Sequence, residues 1–70
     1  MNEIEGILGF DISGKVIKID QKPYRITPIL YNNVARNFSP GERVRVDFYR
    51  NGDVKSVVLV REREENIRAW

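Results

Sequence analysis

The side chains with the clearest chemistry in this sequence are cations set in a row. In "ERVRVDFYR", residues 42–50, Arg43 and Arg45 alternate with Val44 and Val46, and Tyr49 follows in the same phase. An extended strand puts Arg43, Arg45, Asp47 and Tyr49 on one face and Val44, Val46 and Phe48 on the other. Guanidinium groups at that spacing suit a phosphate backbone, and an aromatic ring beside them suits a nucleobase. The competing use is a solvated sheet face on which Asp47 and a cross-strand Lys55 balance charge locally. A second set, Lys18, Lys22, Tyr24 and Arg25, offers the same combination, against the alternative that Tyr24 turns inward with Ile26.

Other chemistries are excluded or poorly supplied. The 70 residues contain no Cys and no His, which removes disulfides, Cys/His zinc sites and imidazole acid–base catalysis together. Ser13, Ser39 and Ser56 therefore have no histidine to activate them. The carboxylate groupings Glu3/Glu5 and Glu62/Glu64/Glu65 lack neighbours that would tune a catalytic acid or base. No glycine-rich phosphate loop, nucleophile elbow or EF-hand spacing is present. An enzyme is not expected, nor is any cofactor or bound metal.

The net charge of +2 is unevenly spread. Residues 1–20 hold two basic and four acidic side chains, residues 21–60 seven basic and three acidic, and residues 61–70 three of each. The basic surplus in the middle of the chain favours an anionic partner. A charged fraction of 31% with 41% hydrophobic residues describes a folded domain rather than a disordered chain. No apolar run approaches the roughly 18 residues of a membrane span. The acidic start "MNEIEG" is unlike a secretory signal, so a cytoplasmic protein with no membrane partner is expected.

The elements that must position these residues are short. "EIEGILGF", residues 3–10, reads as a strand bent at its glycines, followed by a turn at "DISG". "KVIKID", residues 15–20, reads as a second strand, "QKP" as a turn, and "YRITPIL", residues 24–30, as a third strand with Pro28 at its edge or bulge. "YNNVARNF", residues 31–38, suits a short helix capped by Asn32 or Asn33, with Val34 and Phe38 plugging the core and Tyr31 and Arg36 at the rim. Strands over 43–50 and 54–62 then form a hairpin, with Asn51-Gly52 as a two-residue type I′ turn. Strict alternation places Val54, Val58 and Val60 on one face of the last strand and Val57 and Leu59 on the other, so both faces call for cover.

Five short strands with tight turns predict an all-β fold, a small five-stranded OB-like barrel with a helix between strands 3 and 4; an SH3-like barrel is the alternative. "GKVIKID" and "FSPGERVRVDFYRNGDVKSVVLV" resemble the first strand and last hairpin of cold-shock and related OB-fold RNA-binding domains. That resemblance implies binding of RNA or single-stranded DNA. The aromatic segments on which that family stacks bases have no counterpart here beyond Tyr24, so low sequence specificity is expected. The expected nucleic-acid contacts are Lys18, Lys22, Arg25, Arg43, Arg45 and Lys55 to phosphates, with Tyr24 and Tyr49 stacking. Residues 1–62 form the expected single barrel domain and 63–70 a tail, helical or mobile. The rival function is a protein-interaction or assembly module, a homo-oligomer or a complex with another protein, formed through Val57 and Leu59 together with Ile67 and Trp70.

Overall fold

The computed structural model describes residues 3–60. It is mostly sheet: five antiparallel strands and one short helix, in the order β1 (Glu3–Phe10), β2 (Val16–Ile19), β3 (Lys22–Arg25), α1 (Pro28–Asn37), β4 (Arg43–Phe48) and β5 (Val54–Leu59). In space the strands run β3-β2-β1-β4-β5. The sheet is not closed, and β3 and β5 are its edges. The expected all-β class and the helix between the third and fourth strands are both present. "GKVIKID" supplies the second strand of this order, not the first.

Strand β1 changes partner along its length, which bends the sheet into a curl. Glu3–Ile7 pair with Asp47–Arg43 of β4, and Leu8–Phe10 pair with Ile19–Ile17 of β2. At the crossover Asp20 does the work of a ladder residue. Its backbone N–H donates to the Ile7 carbonyl at 2.9 Å, and its Oδ1 accepts from the Ile7 N–H at 2.9 Å. Gly6 makes room for that carboxylate: a Cβ there would lie 2.6 Å from Asp20 Oδ2. The glycine expected at a bend is therefore needed because a side chain lies across it.

The two hairpin turns exchange the roles expected of them. Asn51-Gly52 does not form a two-residue type I′ turn, because only Gly52 has positive φ (96°). Tyr49 pairs with Asp53 (N–H to carbonyl, 2.8 Å), and the Gly52 N–H donates to the Tyr49 carbonyl at 3.0 Å. The loop thus has three residues, 50–52, closed by a left-handed glycine, the common alternative for hairpins. Its strands end at Phe48 and Leu59, short of the expected 50 and 62; residues 61 and 62 lie outside the described residues. The two-residue loop with both central φ values positive is instead Asp20-Gln21 (53° and 71°). It joins β2 directly to β3, so Lys22 and Pro23 lie in a strand where "QKP" suggested a turn. Pro23 is tolerated there because β3 is an edge strand.

The third strand and the helix are also redrawn. Pro28 ends no strand; it opens α1 behind the N-cap Thr27, whose Oγ1 accepts from the Leu30 N–H at 3.3 Å. Proline fits the first helical turn because its missing N–H has no intrahelical partner there. The helix therefore spans 28–37, not 31–38, and neither Asn32 nor Asn33 caps it. Val34 is buried and Phe38 packs on the core, as its spacing suggested. Tyr31 fastens the helix to the β1–β2 loop: its hydroxyl donates to the Asp11 carbonyl at 2.6 Å and its ring meets Phe10 edge-on at 5.7 Å.

The core is made of Leu8, Ile17, Ile19, Ile26, Val34, Val44, Val46 and Val54. Strand β5 does not need cover on both faces. Asp47 opposes Ser56 but Phe48 opposes Val54, so Lys55 is an extra residue in a bulge. The bulge reverses the alternation, and Val54, Val57 and Leu59 all join the core side. Val58 is left on the outer face, 51% exposed, opposite Arg45. Val57 and Leu59 are thus half-buried packing residues; their proposed companions Ile67 and Trp70, and the tail at 63–70, lie outside the described residues.

Candidate nucleic-acid interface

The row that drew attention in the sequence is exposed but not freely cationic. Arg43 and Arg45 stand on the outer face of β4, and β1 brings Glu3 and Glu5 alongside them. Arg43 Nη1 lies 3.5 Å from Glu5 Oε2, while Arg45 Nε lies 3.8 Å from Glu3 Oε2 and 3.9 Å from Glu5 Oε1. Asp47 accepts from the Ser56 hydroxyl at 3.4 Å, not from Lys55 as expected. Glu3, Glu5 and Asp47 therefore outnumber the two arginines on this face. The guanidinium charge on this face is thus offset locally by carboxylates. The sequence could not reveal this, because Glu3 and Arg45 are brought together only by the β1–β4 register.

A different cluster forms where β3 meets the β4–β5 loop. Arg25 is the last residue of β3, paired with Val16 at the start of β2. Its guanidinium Nε lies 2.8 Å from Asp53 Oδ1 across the open side of the sheet, with the arginine side chain still 69% exposed. The Tyr24 and Phe48 rings meet at 5.1 Å beneath this bridge. Tyr24 is thereby committed to packing on the core and does not stand ready for a base. Asp53 is held in turn by Asn51, whose Oδ1 accepts from the Asp53 N–H at 3.0 Å and whose Nδ2 donates to Asp53 Oδ2 at 3.3 Å.

Arg25 lies between two loops, one joined to it by the Asp53 bridge and the other tied to its neighbour Ile26. Lys15 of the β1–β2 loop accepts from the Ile26 N–H through its carbonyl at 2.9 Å, so that loop ends beside Arg25. On the other side of Arg25, the β4–β5 loop carries Tyr49 and Arg50, with Lys55 in the adjoining bulge. Tyr49 is 52% exposed, and Lys55 Nζ lies 5.9 Å from the centre of its ring, within cation–π range. Lys15, Arg25, Arg50 and Lys55 are exposed on the elements these contacts join, whose loops also carry Asp11 and Asp53. Lys18 and Lys22 are exposed on the β2–β3 hairpin.

Of the residues picked out by sequence, Arg25, Tyr49 and Lys55 lie about the β4–β5 loop, with Tyr24 beside Arg25 but packed inward on Phe48. Lys18 and Lys22 are exposed on the β2–β3 hairpin, Lys22 at the end away from Arg25, and Arg43 and Arg45 stand on the acid-paired face of β4. Arg50 and Lys15 were missed, although "YRNG" already placed an arginine in a turn beside an aromatic. The Asp11 carboxyl is held below the ordinary carboxylate range, chiefly by the Ser13 hydroxyl, then by the Ser13 backbone N–H, with Lys18 contributing a smaller Coulombic effect; burial opposes them. It remains ionised and tied to its own loop. Among the described residues no helix is long and apolar enough to cross a membrane, and no group of acidic side chains could hold a metal ion. Neither a family model, a curated protein nor a solved structure matches this chain.

Proposed function

We propose that this is a small cytoplasmic nucleic-acid-binding protein that holds RNA or single-stranded DNA with little preference for sequence. The element order and the curled five-stranded sheet fit an OB-like barrel, a fold whose loops β1–β2 and β4–β5 flank an oligonucleotide site. The observation that carries the reading is the Arg25–Asp53 bridge, which fastens the end of β3 to the β4–β5 loop beside the half-exposed Tyr49 and its Lys55 neighbour, while the Lys15 carbonyl ties the end of the β1–β2 loop to Ile26, next to Arg25. Tyr49 offers one face for stacking, while Arg25, Arg50, Lys55 and Lys15 follow the backbone, with Lys18 and Lys22 extending the track. Weak specificity follows from the shortage of side chains suited to reading base edges.

Anisotropy titration of a labelled mixed-sequence single strand at several salt concentrations tests this. Four phosphate contacts predict a log K against log[salt] slope of roughly −3. Lys55→Ala should reduce that slope by about 0.7. Tyr49→Ala should weaken binding with the slope retained, whereas Arg43→Ala/Arg45→Ala should leave the slope near wild type. A salt-independent titration, or no binding at low salt, rejects the function; loss of the slope in the Arg43/Arg45 variant rejects the site.

A further inference from the structure

The β1–β2 loop presents an isoleucine in a position the fold does not use. Ile12 is 103% exposed, the most exposed large apolar side chain among the described residues. Ile29 in the first turn of α1 (77%), Val58 (51%) and Ile7 (41%) are exposed as well; Val58 and Ile7 sit in the sheet ladder across from Arg45 and Arg43. Ile12 instead stands at the tip of a turn, where polar residues and glycine are the usual choice.

Its mount is rigid. Asp11 Oδ2 accepts from the Ser13 N–H at 3.0 Å, the Asp11 carbonyl accepts from the Gly14 N–H at 3.3 Å, and Ser13 Oγ accepts from the Lys15 N–H at 3.1 Å. Tyr31 then pins the Asp11 carbonyl to α1 at 2.6 Å. Gly14, with φ of 76°, lets the loop return to β2. Every neighbour of Ile12 has a structural partner, so the loop holds in place a side chain that buries nothing.

We propose that Ile12 is an apolar wedge that inserts between adjacent bases of a bound single strand. This rests on the nucleic-acid reading above and extends it to a residue outside the cationic set. Lys15 follows Ile12 by three residues and its carbonyl accepts from the Ile26 N–H at 2.9 Å, so the end of the β1–β2 loop adjoins Arg25, which the Asp53 bridge joins to the β4–β5 loop. Aliphatic side chains serve as wedges between bases in other nucleic-acid complexes, where they unstack a step in exchange for added contact. A loop already ordered by four hydrogen bonds loses little entropy when it binds.

The test uses single strands carrying 2-aminopurine at successive positions, which brightens when unstacked from its neighbours. Wild-type protein should raise the fluorescence severalfold at one step. Ile12→Ala should abolish the rise and weaken binding about tenfold, as expected for losing a partly buried isoleucine contact, with the salt slope unchanged. Its urea midpoint should match wild type, because the side chain buries nothing in the free protein. If Ile12→Ala binds and brightens the probe like wild type, the wedge is overturned while the cationic site stands. If wild type binds no strand at low salt, both proposals are overturned.

Discussion

Substituting Gly6 by alanine probes how the sheet bends. Gly6 shows no positive φ, so alanine is not refused by the backbone; it is refused by Asp20. A Cβ would sit 2.6 Å from Oδ2, 2.7 Å from Cγ and 2.8 Å from Oδ1, closer than van der Waals contact allows for any of the three. The carboxylate has to swing away and release the 2.9 Å bond from the Ile7 N–H. Losing a hydrogen bond to a charged acceptor costs about 1.5–3 kcal/mol. Water reaches the released groups, and alanine restricts the unfolded chain by about 0.4–1 kcal/mol in the opposite direction. The net expectation is a loss of about 1–2 kcal/mol, or roughly 5–15 °C in Tm for a domain of this size. The assay is urea denaturation of a double-mutant cycle with Asp20→Gly, which removes the carboxylate and suits the positive φ at position 20. In the Asp20→Gly background, Gly6→Ala should be neutral or slightly stabilising. If the two changes are additive, the carboxylate does not occupy the space above Gly6 and the account of the bend is wrong.

Gln21 occupies a left-handed conformation (φ 71°) that glycine adopts without steric penalty. Gln21→Gly should therefore stabilise the protein by up to about 1 kcal/mol in urea melts, despite the added freedom of its unfolded chain. Tyr31→Phe keeps the ring on Phe10 but loses the bond to the Asp11 carbonyl, and should lower stability by about 0.5–1.5 kcal/mol, with faster amide exchange in the β1–β2 loop. Asp11 binds its proton less readily folded than unfolded, so its contribution is present above the ordinary carboxylate pKa and is lost as pH falls through the depressed folded value. The stability gap between wild type and Ser13→Ala, measured by urea titration, should accordingly be full at neutral pH and narrow below pH ~4.

Much of the fold was legible because its signals are local. Alternating valines at 44 and 46 marked a core-facing strand, Val34 and Phe38 marked the buried side of the helix, and "DISG" marked a turn, since each depends on a few neighbouring residues. Misreadings arose where two local signals competed. Asn-Gly favours a type I′ turn in isolation, but the bulge at Lys55 shifts the β4–β5 register and requires a three-residue loop. Pro28 excludes a central strand yet also suits a helix start, and Thr27 decides for the helix by capping it. Ile12 was legible only as part of the "DISG" turn; its full exposure was not.

The sequence by itself determined that this is a small all-β domain without histidine or cysteine chemistry, because composition and side-chain alternation act within a strand's own length. Only the tertiary structure decided which cations are paired with which acids among the described residues. Ladder register sets Glu3 and Glu5 beside Arg43 and Arg45, 38 to 42 residues away in the chain, and the curl of the sheet carries Arg25 to Asp53. Charge pairing is governed by distance in space, and over such separations along the chain that distance is set by how the strands pair.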